Sequence, residues 1–537
     1  MTDQRIYDQL ARSAAQWPDR PVLDVMAETA ACYDLKAGPI TYADFLAGID
    51  AWADRFGAAG YCAGMRVAVL LENRPAFFVL FCALNKIGAS IVPINPDLRL
   101  SELRYLIGHA EPALVIALPS RLEELTAAIA QTDLALQAIA PETPLPAPRA
   151  GAVVAGDQAG EAREAAVLYT SGTTGAPKGC VLPNAYFLLA GRWYADLGGI
   201  ASLTTNGERM ITPLPVFHMN AMAYSFMAML NVGGCLIALD RFHPGSWWAN
   251  VADSRATCLH YLGVMPSILM GMPDTGTDRA HNVRFGFGAG IDPELQEEFE
   301  TRFGFPLIEA WAMTETGAGA VIANNEEDRL IGQSSLGIAR DWVEARVVDD
   351  TGTETPDGTP GELLVRHAGD IPRYGFFSHY YKNPEATAEA WENGWFHTGD
   401  IVKRDADGRF TFVDRKKNVI RRSGENIAAV EVESVLMRHP DINAAGVAPV
   451  PDAMRGDEVF ACLVVDRPGV ETAQAIAEWA LRQMAYYKVP GYIAFVDALP
   501  LTSTQKIQRK MLKDRAAVLL NDPSTICLTA MKKRQIA

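Results

Sequence analysis

Residues 167–179 read VLYTSGTTGAPKG, and the fold is read outward from them. A β-rich apolar run enters a loop dense in glycine, serine and threonine, and Lys178 stands near its end. Glycine lets backbone N–H groups come close to phosphate oxygens, hydroxyls add donors, and a lysine adds positive charge. The stretch departs from the Walker pattern, because Gly172 is not followed four residues later by Gly-Lys-Ser/Thr. It predicts a phosphate-cradling loop fed by a strand.

Upstream, helical and strand patterns alternate. Residues 66–71 (RVAVLL), 89–93 (ASIVP) and 113–117 (ALVIA) read as strands, and 46–59, 76–87 and 101–109 as helices. Continuous apolar strands between helices predict a parallel sheet covered on both faces. Residues 141–165, rich in Pro, Ala, Gly and Glu, read as a surface connection. Downstream, 236–239 and 258–264 are strand candidates. A helix over 292–304 is capped by Asp292, opened by Pro293 and closed by Gly304. From 335 to 414 the pattern turns β-rich, with strands at 345–348 and 362–365 and an Asp407-Gly408 hairpin signal. Within it, Asn383-Pro384-Glu385 begins a helix that ends near Asn393-Gly394. The last stretch reads as α+β, with amphipathic helices over 425–439 and 471–484. The expected fold is α/β: a large N-terminal domain of doubly wound sheets, 1–414, with 335–414 as a β-rich subdomain, and a small C-terminal α+β domain, 415–537.

Composition narrows the function. Across 537 residues, Lys plus Arg number 48 and Asp plus Glu 64, a formal net charge of −16. That argues against a nucleic-acid or anionic-membrane binder. A hydrophobic fraction of 49 % with 21 % charged residues suits a chain with a large core. Eight cysteines are scattered without a CxxC pair, so a reducing, cytoplasmic setting is expected, with neither zinc site nor disulfide framework. The N-terminus lacks an apolar signal core. The longest apolar run, 76–84, falls far short of the ~20 residues that span a bilayer.

TSGTTGAPKG resembles the signature of the adenylate-forming (AMP-binding) enzymes, which include acyl-CoA synthetases, luciferases and peptide-synthetase adenylation domains. Four later segments stand in the family's order: residues 311–315 (WAMTE), 394–400 (GWFHTGD), 412–427 (FVDRKKNVIRRSGENI) and 499–509 (LPLTSTQKIQR). The resemblance runs from about residue 40 to about 515. It implies nucleotide contacts from Thr170, Ser171, Gly172, Thr173, Thr174, Gly175 and Lys178. It implies others from Gly288, Ala289 and Gly290 in the GFGAG stretch, and from Trp311 as the adenine-stacking ring. Asp400 and Arg415 would hold the ribose. Here Ala310 and Ala312 replace two family glycines, and Gln505 replaces a third.

Each position also has a physical reading. Glu315 suits a hard cation such as Mg²⁺, which takes oxygen ligands and bridges phosphates with one or two carboxylates. Thr314 beside it can contact phosphate or carboxylate. The run 415–422 holds five basic residues in eight, able to focus polyanions on one cleft. Lys506 near a substrate carboxylate and an α-phosphate would offset their repulsion. At ~4 Å and an effective dielectric of ~20, each close pair is of the order of a few kcal/mol.

The resemblance implies an ATP-dependent, AMP-forming acyl-CoA ligase using ATP, Mg²⁺ and coenzyme A. The C-terminal domain would be mobile and turn about Lys417. It would deliver Lys506 for adenylation, then present Ser423, Gly424 and Glu425 beside a thiol channel. The chain ends soon after the lysine block with no fused carrier domain, which favours coenzyme A as the thiol. His218 would wall or gate the acyl pocket with Trp193, Tyr261 and Met313. PVFHMNAMAYS and YLGVMPSIL resemble the crotonobetaine/carnitine-CoA ligase branch. The acid is then a small carnitine- or crotonobetaine-like molecule or a short to medium-chain acid. An aryl-acid CoA ligase, or a stand-alone enzyme loading a carrier protein, is the alternative. Partners are small molecules, with no nucleic acid and no integral membrane segment; a homodimer stays open.

Overall fold

The computed structural model describes residues 3–152, 158–170, 177–415, 419–422, 425–452, 455–484, 486–502 and 506–532. Among these the strands form three sheets. In the first, Arg66–Leu70 lies between Ser90–Pro93 and Leu114–Ala117, parallel to both. All three strands are buried along their whole length, as a parallel sheet covered by helices requires. The signature strand Glu164–Thr170 runs parallel to Ser90–Pro93 on the far side.

The second sheet carries five parallel strands, Pro21–Val25, Cys235–Ala238, Arg209–Thr212, Cys258–Leu262 and Phe285–Ala289, with Leu307–Trp311 as a sixth. At Trp311 the direction of pairing changes. Leu307–Trp311 pairs antiparallel with Ile322–Ala323, and the path continues through the antiparallel strands of 335–415. The β-rich stretch is thus hydrogen-bonded to the α/β sheet. Its edge with the parallel strands falls at the WAMTE segment.

The third sheet, over 419–527, pairs Ile442–Asp452 antiparallel and Tyr492–Phe495 parallel to Gly456–Val465, with its own buried core. The helix 293–303 is capped as read: Asp292 accepts from Glu294 N–H at 3.0 Å, and Gly304 takes φ +81°. Two expectations fail. The helix expected over 425–439 begins only at Ala429, because Glu425–Ala428 pairs with Val419–Arg422 as a hairpin. The helix opened by Asn383 stops at Ala390, and Asn393 takes φ +54° in the turn that follows.

No helix among the described residues is long and apolar enough to cross a membrane. All eight cysteines are free.

Candidate active site

Strands Glu164–Thr170 and Lys178–Pro183 pair antiparallel, with Thr170 opposite Lys178. The loop between them leaves and returns at one point on the sheet. Ser171, Gly172, Thr173, Thr174 and Gly175 lie outside the described residues. The Tyr105 hydroxyl donates to the Pro177 carbonyl at 2.9 Å, pinning the loop's return to the helix Leu100–Ala110. Lys178 Nζ stands 4.6 Å from the centre of the Tyr380 ring, a cation–π contact. The Tyr380 hydroxyl in turn donates to Glu315 Oε1 at 2.9 Å.

Glu315 sits on a tight turn after Leu307–Trp311. Met313 N–H donates to Thr316 Oγ1 at 3.0 Å, closing the turn and leaving Thr314 and Met313 half-buried at its tip. Gly317 follows at φ +48°, where a Cβ would come within 2.3 Å of the Tyr186 ring. Among the described residues no cluster of three His, Cys, Asp or Glu could cage a metal. A lone, 8 % exposed carboxylate held by a phenol fits Mg²⁺, which keeps waters and substrate phosphates as most of its ligands.

Asp400 lies across the same edge. It is 1 % exposed, and its Oδ2 accepts from Trp311 Nε1 at 2.8 Å. Its Oδ1 has no hydrogen bond, although Arg415 Nε stands 2.9 Å away as an ion pair. Burial raises the carboxyl's pKa, and Arg415 pulls it back. The structure therefore brings Trp311, Asp400 and Arg415 together, one carboxylate oxygen on the indole N–H and the other ion-paired with the guanidinium. Trp311 itself is 6 % exposed.

The loop of Gly288, Ala289 and Gly290 is held from beneath by Glu309, which the sequence reading passed over. Glu309 Oε2 accepts from Gly290 N–H at 2.9 Å, and Oε1 accepts from Ile291 N–H at 3.2 Å and the Tyr261 hydroxyl at 2.6 Å. Burial raises the Glu309 pKa. Gly288 is required, since a Cβ there would lie 2.3 Å from the Tyr261 carbonyl oxygen. Tyr261, expected as an acyl-pocket wall, is placed otherwise. It is 1 % exposed with its hydroxyl on Glu309, so it braces the loop from below. The one available signal for Glu309 was a single carboxylate inside an apolar strand, LIEAW. Tyr380 gave no such signal.

His218 stands two residues before the π-helical turn Asn220–Ser225, its ring against Phe217. Surrounding protein, and after it the charge of Lys506, hold its pKa down at about 4, so it is neutral at pH 7. Lys506 comes from the C-terminal unit on a short turn bridged by Leu501 and Ile507, its own N–H donating to Thr502 Oγ1 at 3.1 Å. Arg509 anchors that turn with a fork onto the buried Glu433, at 2.5 and 2.6 Å. The surrounding protein and then Arg415 lower the Lys506 pKa. Both His218 and Lys506 are exposed at the surface. Trp193 lies on the helix Asn184–Asp196, 7 % exposed. Lys417, Ser423 and Gly424 lie outside the described residues, and Glu425 opens a short strand.

Comparison with known proteins follows the same outline. The model of the family described as AMP-binding enzyme matches residues 10–375, and that of the AMP-binding enzyme C-terminal domain matches 431–506. A crotonobetaine/carnitine–CoA ligase of Shigella flexneri is 30 % identical over 480 residues, 87 % of this chain and 91 % of the relative. ATP-bound MatB from Rhodopseudomonas palustris superposes with a TM-score of 0.79 at 27 % identity, over 95 % of this chain and 98 % of the other. An o-succinylbenzoate CoA synthetase from Bacillus subtilis, bound to its acyl-adenylate, shares the fold with a TM-score of 0.79 at 24 % identity, over 96 % of this chain and 99 % of the other. Matched by the main family model over most of its length and by a curated relative nearly end to end, this chain belongs to the AMP-binding enzyme family.

Proposed function

We propose that this chain is an ATP-dependent acyl-CoA ligase that forms AMP, acting in the cytoplasm on a small carboxylic acid. The supporting observations are two contact chains, Lys178–Tyr380–Glu315 and Trp311–Asp400–Arg415, with Lys506 of the C-terminal unit near enough to Arg415 for the charges to interact. The names of the curated relatives and the ATP-bound neighbour support coenzyme A and ATP as substrates.

In the first half-reaction the acid's carboxylate oxygen attacks the α-phosphorus of ATP and pyrophosphate leaves. No covalent nucleophile is needed; positioning and charge neutralisation lower the barrier. Asp400 Oδ1 accepts a ribose hydroxyl, Trp311 offers its ring to adenine, and the Glu309-held loop at 288–290 borders the base. Lys178 and the 171–175 loop take phosphate oxygens. Lys506 sits between carboxylate and α-phosphate. Glu315 would hold Mg²⁺, which would supply neutralising charge to the phosphates. In the second half-reaction a coenzyme A thiolate attacks the acyl carbon and AMP leaves. For that step residues 415–537 turn about Lys417, breaking the exposed Arg438–Glu294 ion pair between the units, and bring residues 423–425 to the thiol channel.

The test is pyrophosphate release from MgATP across crotonobetaine, carnitine, C2–C10 acids, benzoates and dicarboxylates, each with and without coenzyme A. Turnover that needs one acid and coenzyme A together supports the ligase. Single-turnover release without coenzyme A points to a carrier-protein acceptor. No release with any acid overturns the reading.

A further inference from the structure

The helix Leu100–Ala110 lies beside the strand pair that carries the signature loop, and two of its side chains reach the two stems of that loop. On the outgoing stem, His109 Nδ1 meets the Tyr169 hydroxyl at 2.8 Å. On the returning stem, the Tyr105 hydroxyl donates to the Pro177 carbonyl at 2.9 Å. Tyr169 precedes Thr170 and Pro177 precedes Lys178, and Thr170 and Lys178 face each other across the strand pair. Tyr105 and His109 are four residues apart on the helix, so they share a face, and their rings stack with centroids at 5.5 Å. One turn of helix thus holds both ends of the loop.

His109 also ties in the side that carries Glu315. Its ring meets Tyr169 edge-on at 5.7 Å and Tyr381 edge-on at 5.4 Å. Tyr381 follows Tyr380, whose ring lies against Lys178 Nζ and whose hydroxyl bonds Glu315. Tyr381 N–H donates to the Gly179 carbonyl at 2.8 Å. The next side chain, Lys382, donates to the His109 carbonyl at 3.2 Å and pairs with Glu111 at 2.9 Å. Burial, then the charges of Lys382 and Arg66, hold the His109 pKa below its ordinary value, so the ring is neutral at pH 7. Half-buried Tyr105 could send its hydroxyl to water; it bonds the loop stem instead.

We infer that Tyr105 and His109 are positioning residues for the phosphates of ATP, bonding the two stems of the signature loop to one turn of helix and so fixing where Lys178 stands. The inference rests on the ligase reading, in which Lys178 and the loop take phosphate oxygens, and adds two residues to it. Neither touches the nucleotide; each acts through a stem. Donors that must converge on one phosphate chain gain from being held at a set separation before it arrives. The residues proposed for adenine and ribose, Trp311, Asp400 and Arg415, belong to a different sheet. Loosening the stems should therefore weaken the hold on phosphates and leave the hold on the nucleoside.

The test is calorimetric binding of MgATP and of AMP, which lacks the β- and γ-phosphates, to the full chain and to four variants, with a thermal melt beside each. Tyr169→Phe and Tyr105→Phe keep the ring and lose one hydroxyl. Each is expected to weaken MgATP about fivefold and AMP by less than about twofold. His109→Asn keeps a polar atom near the place of Nδ1, whereas His109→Phe keeps only a ring. The Asn variant should therefore hold MgATP more tightly than the Phe variant, the reverse of what ring packing alone would give. MgATP affinity unchanged in both tyrosine variants, MgATP and AMP falling together, or the opposite order at His109 each overturns the inference while the ligase reading stands. A wild type that binds neither nucleotide overturns the ligase reading itself, and the inference with it.

Discussion

Glu309→Gln tests how the nucleotide-side loop is held. The carboxylate accepts three donors, the Tyr261 hydroxyl at 2.6 Å, Gly290 N–H at 2.9 Å and Ile291 N–H at 3.2 Å. Glutamine keeps the shape and exchanges one acceptor oxygen for an NH₂. If the oxygen stays toward Tyr261 and Ile291, the NH₂ faces Gly290 N–H, donor against donor. Flipped, it faces Ile291 N–H, and only the phenol can turn to accept. Either way one buried backbone N–H loses its acceptor, at a cost of about 1–3 kcal/mol. Relief of burying a charge offsets part of that, as the raised Glu309 pKa implies. A net loss of about 1–2 kcal/mol in loop order corresponds to a rise of roughly five- to thirtyfold in KM for ATP. The assay is acid-dependent pyrophosphate release with ATP titrated, beside a thermal melt. The wild type should also lose ATP affinity on acidification sooner than exposed carboxylates titrate, because the folded carboxyl takes up its proton early. The sign for stability is opposite: a raised folded pKa means that protonation favours the fold, so affinity falls without unfolding. The Gln variant should lack that acid limb. A KM for ATP within twofold of wild type, with only the melt lowered, would reduce Glu309 to a core strut and refute the reasoning.

Four further outcomes are expected. Lys506→Ala should abolish acyl-adenylate formation while thiolysis of supplied acyl-adenylate persists, and equal loss of both half-reactions would refute its assignment to one of them. With the Lys506 pKa lowered by its surroundings and Arg415, adenylation should fall on the alkaline side before an ordinary lysine loses its proton, while His218, held at about 4, adds no limb between pH 6 and 8. Tyr380→Phe keeps the ring under Lys178 and removes one bond to Glu315, so the Mg²⁺ requirement should rise roughly five- to tenfold; a shift in the acid's KM instead would count against that role. Glu458→Gln leaves Arg422 and Lys532, both buried against that carboxylate, without their anion, and should destabilise the C-terminal unit by about 3–5 kcal/mol in denaturant melts.

What the sequence made legible followed from local rules. The buried parallel strands, the Asp292 and Gly304 boundaries and the strand that leads into the signature segment are written in short-range pattern, and the structure has them. Residues 425–428 escaped because four residues, Glu-Asn-Ile-Ala, are too few to show a period of their own, and only pairing with Val419–Arg422 decides them. Tyr261 was misplaced because relative position along a strand does not say which face a side chain takes once a buried carboxylate claims its hydroxyl. Tyr380 and Glu309 were missed for the same reason: their roles exist only through partners 65 and 18 residues away.

The spacing of Asp400 and Arg415 joins the two kinds of information. An Asp407-Gly408 turn between them reads as a hairpin, and the structure has one. Near the turn, Arg404 pairs with Phe410, Lys403 with Thr411 and Val402 with Phe412. Continued unbroken, that register would set Asp400 against Asp414, two carboxylates face to face, which destabilises a strand pair. A bulge between Ile401 and Val402 shifts the pairing by one residue, so Ile401 meets Asp414 and Asp400 meets Arg415. The turn was visible in the sequence; the bulge was not. Yet it is the bulge that puts a guanidinium opposite the Asp400 carboxylate and turns Asp414 toward the C-terminal unit, where it meets Val430 N–H and the field of Glu433 and Arg509. One inserted residue thus sets the charge beside Asp400, the carboxylate proposed to hold the ribose, and ties it to the base of the turn that carries Lys506.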